Sequence, residues 1–437
     1  MSAANTPGRL LALRGIGARV IALMASVLLM WIASRLLTRV DSKSDIGAWS
    51  VIFTALYAIA TVARLGAENL ALKLTSADAR LGRPLARPSI LVTIGAGLLG
   101  AIVLFWVTYT RDALSLLPIR AGLSVAVGLS VVPLNLAILG GAWLRSLGHI
   151  AMGALLELGT TPMATIAGVA LLSLRGEVSL TAFLAIFCTA LWLNAAATLG
   201  WGLLELHRAS GRLTPTPIRR YLADHGRSLT AYMLTALGFY LFNYLPVLVF
   251  GFVHDDSGAA DFRNSLTLAT FVGLLPAMQT SYLTPTFAKL FQLGLLVDLN
   301  ATVRTATRNA TLLGALVALP LLIIPGQILL LVFGPSYVHA ATILRILASA
   351  MLVQAALGPI YALMTTTGLE KEASRAILVL LPAGAVLMMV ATRVSADLVT
   401  LAATVAPTGF AVVGCLALWR HGISSSVFPT PRPKDAA

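Results

Sequence analysis

One short stretch of the sequence groups polar and charged side chains at the end of an otherwise apolar run. Residues 61–74 read TVARLGAENLALKL and hold Arg64, Glu68, Asn69 and Lys73. Arg64 and Glu68 are four positions apart, so on a helix they share one face. A guanidinium donates two parallel hydrogen bonds to a phosphate or carboxylate, which makes this stretch a candidate anion site. The alternative is an ion pair at the edge of the run, whose two charges only neutralise each other.

Four more ionisable residues lie within or beside apolar runs, where a charge is costly unless it faces water or a partner. Arg35 and Arg345 are candidate cavity arginines. Their alternatives are snorkelling to the membrane surface for Arg35 and a bond to a neighbouring helix carbonyl for Arg345. Glu157 is the acid deepest in a run. It is a candidate for binding a coupling proton or cation, and equally for neutralising Arg145 across a predicted turn.

The composition indicates which elements position these residues. Of the 437 residues, 58% are hydrophobic and 11% are charged, whereas soluble domains carry about a quarter charged residues. The sequence therefore predicts a membrane protein. The net charge of +14 comes from basic residues between apolar runs rather than a basic face, so nucleic acid is not an expected partner. Cys188 and Cys415 fall inside apolar runs, which indicates neither a disulfide nor a metal site, and no cofactor is expected.

Apolar runs of about 20 residues, the length that crosses a bilayer as a helix, recur along the whole chain. The run 309–344 is too long for one span and is divided at the FGPSY turn; the next span continues through Arg345 to about residue 366. Twelve spans are predicted: 19–37, 46–63, 88–110, 121–144, 149–174, 178–204, 228–253, 264–288, 309–333, 337–366, 376–392 and 398–419.

The connections between these spans predict orientation and lobes. Alternation places 21 of the 31 Lys and Arg residues on one side and seven on the other, so both termini are expected in the cytoplasm. The polar segment 206–227 is expected to be a cytoplasmic linker between six-helix lobes at 1–205 and 228–437. Similar turns at Gly148 and Gly368, similarly placed after Lys73 and Lys289, favour a parallel repeat of the two lobes.

Three stretches resemble a known family. Residues 33–74, 144–162 and 330–368 are similar to polysaccharide-export flippases of the multidrug/oligosaccharidyl-lipid/polysaccharide (MOP) exporter superfamily. The stretch 253–263, VHDDSGAADFR, lacks the Gly-x-Tyr-x-x-Ala spacing of that family, so no role is carried over to Arg263. The residues that carry the resemblance are Arg35-Leu36-Leu37, Asp45-Ile46-Gly47, Gly66, Gly334, Pro335, Tyr337 and Arg345.

The resemblance implies a fold and an activity. The fold is an all-α polytopic membrane protein with twelve transmembrane helices in two six-helix lobes around a central cavity. The activity is that of a transporter, not an enzyme. It flips a polyprenyl-diphosphate-linked oligosaccharide from the cytoplasmic to the outer leaflet of the bacterial inner membrane, for surface polysaccharide such as the O-antigen of lipopolysaccharide. Expected partners are that lipid, membrane lipids, a coupling proton or sodium ion, and polysaccharide-assembly proteins.

Site residues are expected on this basis. The substrate-binding candidates are arginines for the diphosphate, the polar neighbours of Arg64, and uncharged polar residues for the sugars. They are Arg35, Arg64, Glu68, Asn69, Arg345, Asn243 and Tyr244. The coupling candidates are Glu157 and Arg145. Three further polar side chains are expected at membrane depth, either lining a path for the glycan or forming hydrogen bonds between helices. They are Asn194, Gln279 and Gln354.

Two other functions compete with the flippase. A cation-coupled multidrug antiporter of the same superfamily predicts cavities dominated by acids and aromatic rings, whereas the charges within these spans are mostly arginine. A membrane-embedded polysaccharide polymerase or ligase predicts a long outer loop with catalytic groups, and no predicted outer segment exceeds about a dozen residues.

Overall fold

The structure is a computed structural model in which helices account for nearly all of the described chain. It describes residues 43–77, 79–113, 121–158, 180–210, 216–254 and 256–425, and isolated positions at 29, 32, 163, 166–168 and 170. Within these residues no β-strand occurs, in agreement with the predicted all-α fold. The chain divides into two compact units, Met1–Leu237 and Gly238–Ala437. Arg35 lies outside the described residues.

The first unit is built from helices that are joined mostly by short turns. Their bounds are α1 Lys43–Arg64, α2 Ala67–Ala77, α3 Ala79–Ala113, α4 Ala121–Leu129, α5 Val131–Ser146, α6 Ile150–Leu158, α7 Leu180–Ser210 and the start of α8 Ile218–Val249.

Helix α5 is the buried element of the first unit. All residues from 131 to 144 are buried, because glycines let neighbouring backbones come close. An added Cβ at Gly140 would lie 2.7 Å from the Thr198 carbonyl oxygen on α7, and one at Gly153 on α6 would lie 2.8 Å from the Gly141 oxygen. Small residues at such contacts stabilise helix pairs in lipid, where packing replaces the hydrophobic effect.

The chain bends between α1 and α2 at Leu65 and Gly66. Both have a positive φ, 54° and 72°, a conformation that costs an L-residue roughly 1–2 kcal/mol and is accessible to glycine. Gly66 also touches α8, because an added Cβ would lie 2.5 Å from the Tyr232 Cβ. The expectation that Arg64 and Glu68 share one continuous helix face is therefore corrected. The two residues flank a break in the helix.

The second unit begins in the C-terminal part of α8 and has more interruptions. Its elements are a π-helical turn Phe250–His254, α9 Asp256–Gln292, α10 Leu296–Ile323, α11 Pro325–Phe333, a 3₁₀ turn Pro335–Ala340, α12 Ala341–Leu357, α13 Ile360–Thr366, α14 Glu370–Ala391 and α15 Ala396–Arg420. Its core includes an edge-to-face pair of Phe239 and Phe410, 5.4 Å apart, which joins α8 to α15.

Most breaks in the second unit occur at a glycine or proline, and the turn at 392–395 has neither. The predicted division at Gly334 is present, with φ of 102°. The helix through Arg345 is shorter than predicted: it ends at Leu357, because Gly358 has φ of 95° and Pro359 cannot donate a backbone hydrogen bond.

The predicted spans can be compared with the described helices. Nine segments in the described part of the chain are long and apolar enough to cross a membrane, and each overlaps a predicted span. The span predicted at 309–333 is corrected, because the segment there runs from Leu296 to Ile323 and Pro325 begins the separate helix α11. The predicted span 264–288 lies in α9, which is long enough but is rich in Thr, Ser and Gln and is not among the nine. The spans 19–37 and 149–174 fall largely outside the described residues. The protein is a multi-pass membrane protein.

The predicted linker 206–227 is partly helical in the structure. Helix α7 extends to Ser210 and α8 begins at Ile218. The boundaries proposed for the two lobes remain predictions.

Candidate functional site

The break between α1 and α2 holds a buried polar cluster in the first unit. Arg64 Nε lies 3.3 Å from Glu68 Oε1. Arg64 Nη1 donates to Asn135 Oδ1 and Nη2 to Thr61 Oγ1, each at 3.3 Å. Arg64 and Glu68 are 7% and 8% exposed and Asn135 is fully buried. Nη1 and Nη2 therefore donate hydrogen bonds within the unit, whereas Nε contacts Glu68 as an ion pair without a hydrogen bond. The pair is buried.

The same cluster retains unsatisfied polar atoms. Glu68 Oε2 and Asn135 Nδ2 are buried and have no hydrogen-bond partner among the described residues. Such atoms are rare in folded proteins, and a water molecule or ligand often satisfies them. The cluster can therefore accept one further donor at Glu68 and one further acceptor at Asn135.

The partner of Arg64 on a neighbouring helix is a residue that the sequence did not single out. Asn69 is the substrate-binding candidate closest to Arg64 and Glu68 in the sequence, and its backbone N–H donates to the Gly66 carbonyl at 3.1 Å. Asn135 takes the side-chain contact from α5, 71 positions away in the chain. The available signal was that Asn135 is the only side-chain amide in the apolar run 121–144.

Arg145 and Glu157 form an ion pair across the turn between α5 and α6. Arg145 Nη2 lies 2.9 Å from Glu157 Oε2, with both side chains less than one-fifth exposed. Next to it, Asn194 on α7 donates to the Leu156 carbonyl at 2.8 Å, which is the helix-to-helix bond that was one of its two interpretations. The neutralising contact expected for Glu157 is thus present, and its coupling role stays a prediction.

Arg345 in the second unit has different surroundings. Its side chain is exposed on α12, and Nε donates to the Leu322 carbonyl of α10 at 3.1 Å. Within the described residues it has no acidic partner. This is the carbonyl bond that the sequence offered as one alternative. Because the bond uses Nε, the outer edge of the guanidinium, formed by Nη1 and Nη2, faces away from this acceptor.

Tyr244 belongs to an aromatic and cationic stack in the second unit. Its ring stacks on Tyr240 with centroids 4.7 Å apart, and the Arg263 guanidinium lies 4.8 Å from its centre. The neighbouring Asn243 donates to the Phe239 carbonyl of its own helix at 3.0 Å. Arg263, to which no role was carried over from the family resemblance, thus contacts a predicted substrate-binding residue.

A cavity of about 180 Å³ lies between α9, α10 and α12 of the second unit. Gln279, Thr280, Thr307 and Gln354 supply polar groups to its wall, which is otherwise apolar. Gln279 Oε1 is buried without a hydrogen-bond partner among the described residues. Both glutamines that the sequence placed at membrane depth therefore line one cavity. No group of three or more His, Cys, Asp or Glu suited to a metal occurs in the described chain.

Comparisons with known proteins identify the fold. No protein-family model matches the sequence, and no curated protein matches it. Solved structures match it over nearly its whole length. An inward-facing multidrug resistance MATE family transporter of the MOP superfamily aligns with a TM-score of 0.68 and 14% identity, covering 91% of this chain and 97% of the other.

Two further structures give the same result. The lipid II flippase MurJ, in an inward closed conformation, aligns with a TM-score of 0.69 and 11% identity over 92% of this chain and 87% of MurJ. A MOP superfamily transporter from Pyrococcus furiosus, described as having a binding pocket of reverse polarity, aligns with a TM-score of 0.62 and 12% identity over 93% and 94% of the two chains. The chain therefore has the helical fold of the transporters of the MOP superfamily.

Proposed function

We propose that this protein is a membrane transporter that flips a lipid-linked oligosaccharide with an anionic diphosphate across the bilayer by alternating access. The observation that carries the proposal is Arg345, an arginine within a membrane-spanning segment that has no acidic partner in the described chain. A charged side chain in a span costs about 2.5–3.5 kcal/mol on insertion scales. A wet path or an anionic ligand would offset that cost.

The geometry of Arg345 suits a phosphate. Its Nε is engaged by the Leu322 carbonyl, which fixes the plane of the guanidinium. Nη1 and Nη2 form the edge that binds two phosphate oxygens at once. A lysine has no such planar fork, so Arg345 combines the orientation and the charge that a diphosphate needs.

The other predicted substrate contacts have distinct parts in this proposal. Arg64 binds the diphosphate when a phosphate oxygen replaces the Glu68 carboxylate as its partner. Asn69 lies next to Glu68 and contributes to the same site. Tyr244, whose ring already contacts Tyr240 and Arg263, offers its hydroxyl group to the sugars, and Asn243 offers its amide oxygen. Arg35 adds a second cation near the predicted outer end. The Glu157 carboxylate takes up a proton or sodium ion during the cycle, in place of its ion pair with Arg145. Assembly proteins for surface polysaccharide and a location in the bacterial inner membrane belong to the same proposal.

The second candidate is a cation-coupled multidrug antiporter. The matched MATE structures favour it as strongly as MurJ favours flipping. The charges of this chain favour an anionic substrate, because three acids within its helices already contact basic side chains. Glu68 pairs with Arg64, Glu157 with Arg145, and Asp261 with His339 at 2.8 Å.

A reconstitution experiment separates the two candidates. The full chain is placed in liposomes with a fluorescent polyprenyl-diphosphate oligosaccharide, and a membrane-impermeant quencher reports how much of the label is in the outer leaflet. In parallel, uptake of a cationic dye is measured under an imposed proton or sodium gradient. We expect protein-dependent flipping of the lipid and no gradient-driven dye uptake. Dye uptake without lipid flipping would replace the flippase by the antiporter.

A further inference from the structure

A groove lies on the first unit between the start of α3 and the end of α7. Its volume is about 420 Å³. The two helices are antiparallel here, because Arg83 contacts His207 near the end of α7, while Ile90, later on α3, packs against the same core cluster as Leu199, earlier on α7. Its walls are formed by Arg83, Ala86, Arg87, Ile90, Leu91, Leu203, Leu206 and His207.

One end of the groove is basic. Arg83 Nη2 lies 2.7 Å from His207 Nδ1. Arg83 Nη1 is buried and has no hydrogen-bond partner within the described chain. Arg87 is exposed beside it, and neither arginine forms an ion pair with a described acid. The nearest acid along α7, Glu205, is occupied by Arg208 at 2.7 Å and by His149 at 3.6 Å.

The other end of the groove is apolar. Ile90 and Leu91 follow Arg87 by about one helical turn on α3, and Leu203 lies one turn before His207 on α7. These residues belong to two membrane-spanning segments: the segment on α3 begins at Gly82, and the segment on α7 ends at Ala209. Arg83, Arg87 and His207 therefore stand at the level of lipid headgroups, and the leucines and isoleucine stand at the level of acyl chains.

We propose that this groove binds one anionic glycerophospholipid of the surrounding membrane. The headgroup phosphate accepts hydrogen bonds from Arg83 Nη1 and from Arg87, and an acyl chain lies along Ile90, Leu91 and Leu203. A buried guanidinium nitrogen without an acceptor gives the phosphate a fixed donor, and the exposed Arg87 adds charge. The site is separate from Arg345 and does not depend on which cargo the protein moves.

The test is lipid binding by the full-length protein in detergent, measured by native mass spectrometry with phosphatidylglycerol and phosphatidylcholine. Wild-type protein is expected to prefer phosphatidylglycerol. Each arginine near an anionic lipid contributes a factor of about five in affinity. Arg83→Gln/Arg87→Gln is therefore expected to lower the affinity for phosphatidylglycerol more than tenfold, and leave that for phosphatidylcholine unchanged.

The matched control removes two arginines from the same end of the unit. Arg219 and Arg220 on α8 are exposed and do not line the groove, so Arg219→Gln/Arg220→Gln should keep the preference. Equal losses in both double variants, or no loss in the groove variant, would overturn the proposal. Binding of inorganic phosphate alone, with the affinity measured for phosphatidylglycerol, would also overturn the proposal in favour of a free-anion site.

A single variant covers the case in which Arg83→Gln disturbs folding through its contact with His207. Arg87 has an exposed side chain, so Arg87→Gln should unfold at the wild-type temperature in lipid-free detergent. It should lose about fivefold in affinity for phosphatidylglycerol. Wild-type affinity in this folded variant would count against the groove.

Discussion

Arg64 ends one membrane-spanning segment and Arg345 lies within another, but the two units surround them differently. Arg64 is 7% exposed and contacts Glu68, Asn135 and Thr61. Arg345 is exposed and, among the described residues, has only the Leu322 carbonyl as a partner. A buried charge must be compensated where it stands, because desolvation is costly. Arg64 is therefore held by its neighbours within the unit, whereas the Arg345 side chain is exposed.

The helix-ending turns of the two units, unlike the surroundings of the two arginines, are similar. Gly148 and Gly368 both have a positive φ, 95° and 83°. In each turn the next residue bonds back to the carbonyl five positions earlier, His149 to Leu144 and Leu369 to Met364. The same motif closes α9 at Gly294, so it is a general way to end a helix. Similar turns therefore support the predicted repeat only weakly.

The largest effect is expected from breaking the Arg64–Glu68 pair. Arg64→Met leaves a buried carboxylate without its cation and should lower the free energy of unfolding by about 3–5 kcal/mol. Arg64→Met/Glu68→Leu removes both charges and should recover most of that loss. Denaturant unfolding in detergent measures both. Arg345→Met is the control and should stay within about 0.5 kcal/mol of wild type. A single Arg64 variant as stable as wild type would contradict the structural role of the pair.

The next effect concerns the break that positions this pair. Gly66→Ala should destabilise the protein by roughly 1–2 kcal/mol through its positive φ, with about 1–3 kcal/mol more from overlap with Tyr232. Gly200, on α7, has open space around its Cα. Gly200→Ala should stabilise the protein by about 0.5–1 kcal/mol. The measurement is the same unfolding series, and equal effects at the two glycines would argue against the bend.

The smallest effect separates two asparagines with different partners. Asn194 in the first unit bonds to the Leu156 carbonyl of another helix, whereas Asn243 in the second bonds to Phe239 of its own helix. Asn194→Leu should cost about 0.6 kcal/mol, the average for a bond between membrane helices. Asn243→Leu should cost less, because no helix pair depends on it. A reversed order in the unfolding free energies would refute this distinction.

Local patterns were sufficient for much of the fold and for part of the site. Apolar run lengths located most of the described spans, and Gly334 and Gly148 marked turns, because these features depend on neighbouring residues. The span predicted at 309–333 was misplaced, since that helix ends at Ile323 and α11 begins at Pro325. The bend at Leu65 was missed, since leucine rarely has positive φ. Asn135 as the partner of Arg64, and Leu322 as the partner of Arg345, depend on packing between distant helices. The Leu322 acceptor is a backbone carbonyl, so the type of residue at position 322 does not predict it.

The central claim is that the free edge of Arg345 contacts a phosphorylated headgroup. The most direct measurement is the flipping rate of the labelled polyprenyl-diphosphate oligosaccharide in liposomes for wild type, Arg345→Lys, Arg345→Gln and Arg393→Gln. Arg393 is exposed in the turn between α14 and α15 and serves as a matched loss of charge. We expect Arg345→Gln to slow flipping about tenfold or more, Arg345→Lys to retain part of the rate, and Arg393→Gln to match wild type. Equal rates in wild type and Arg345→Gln would contradict the claim.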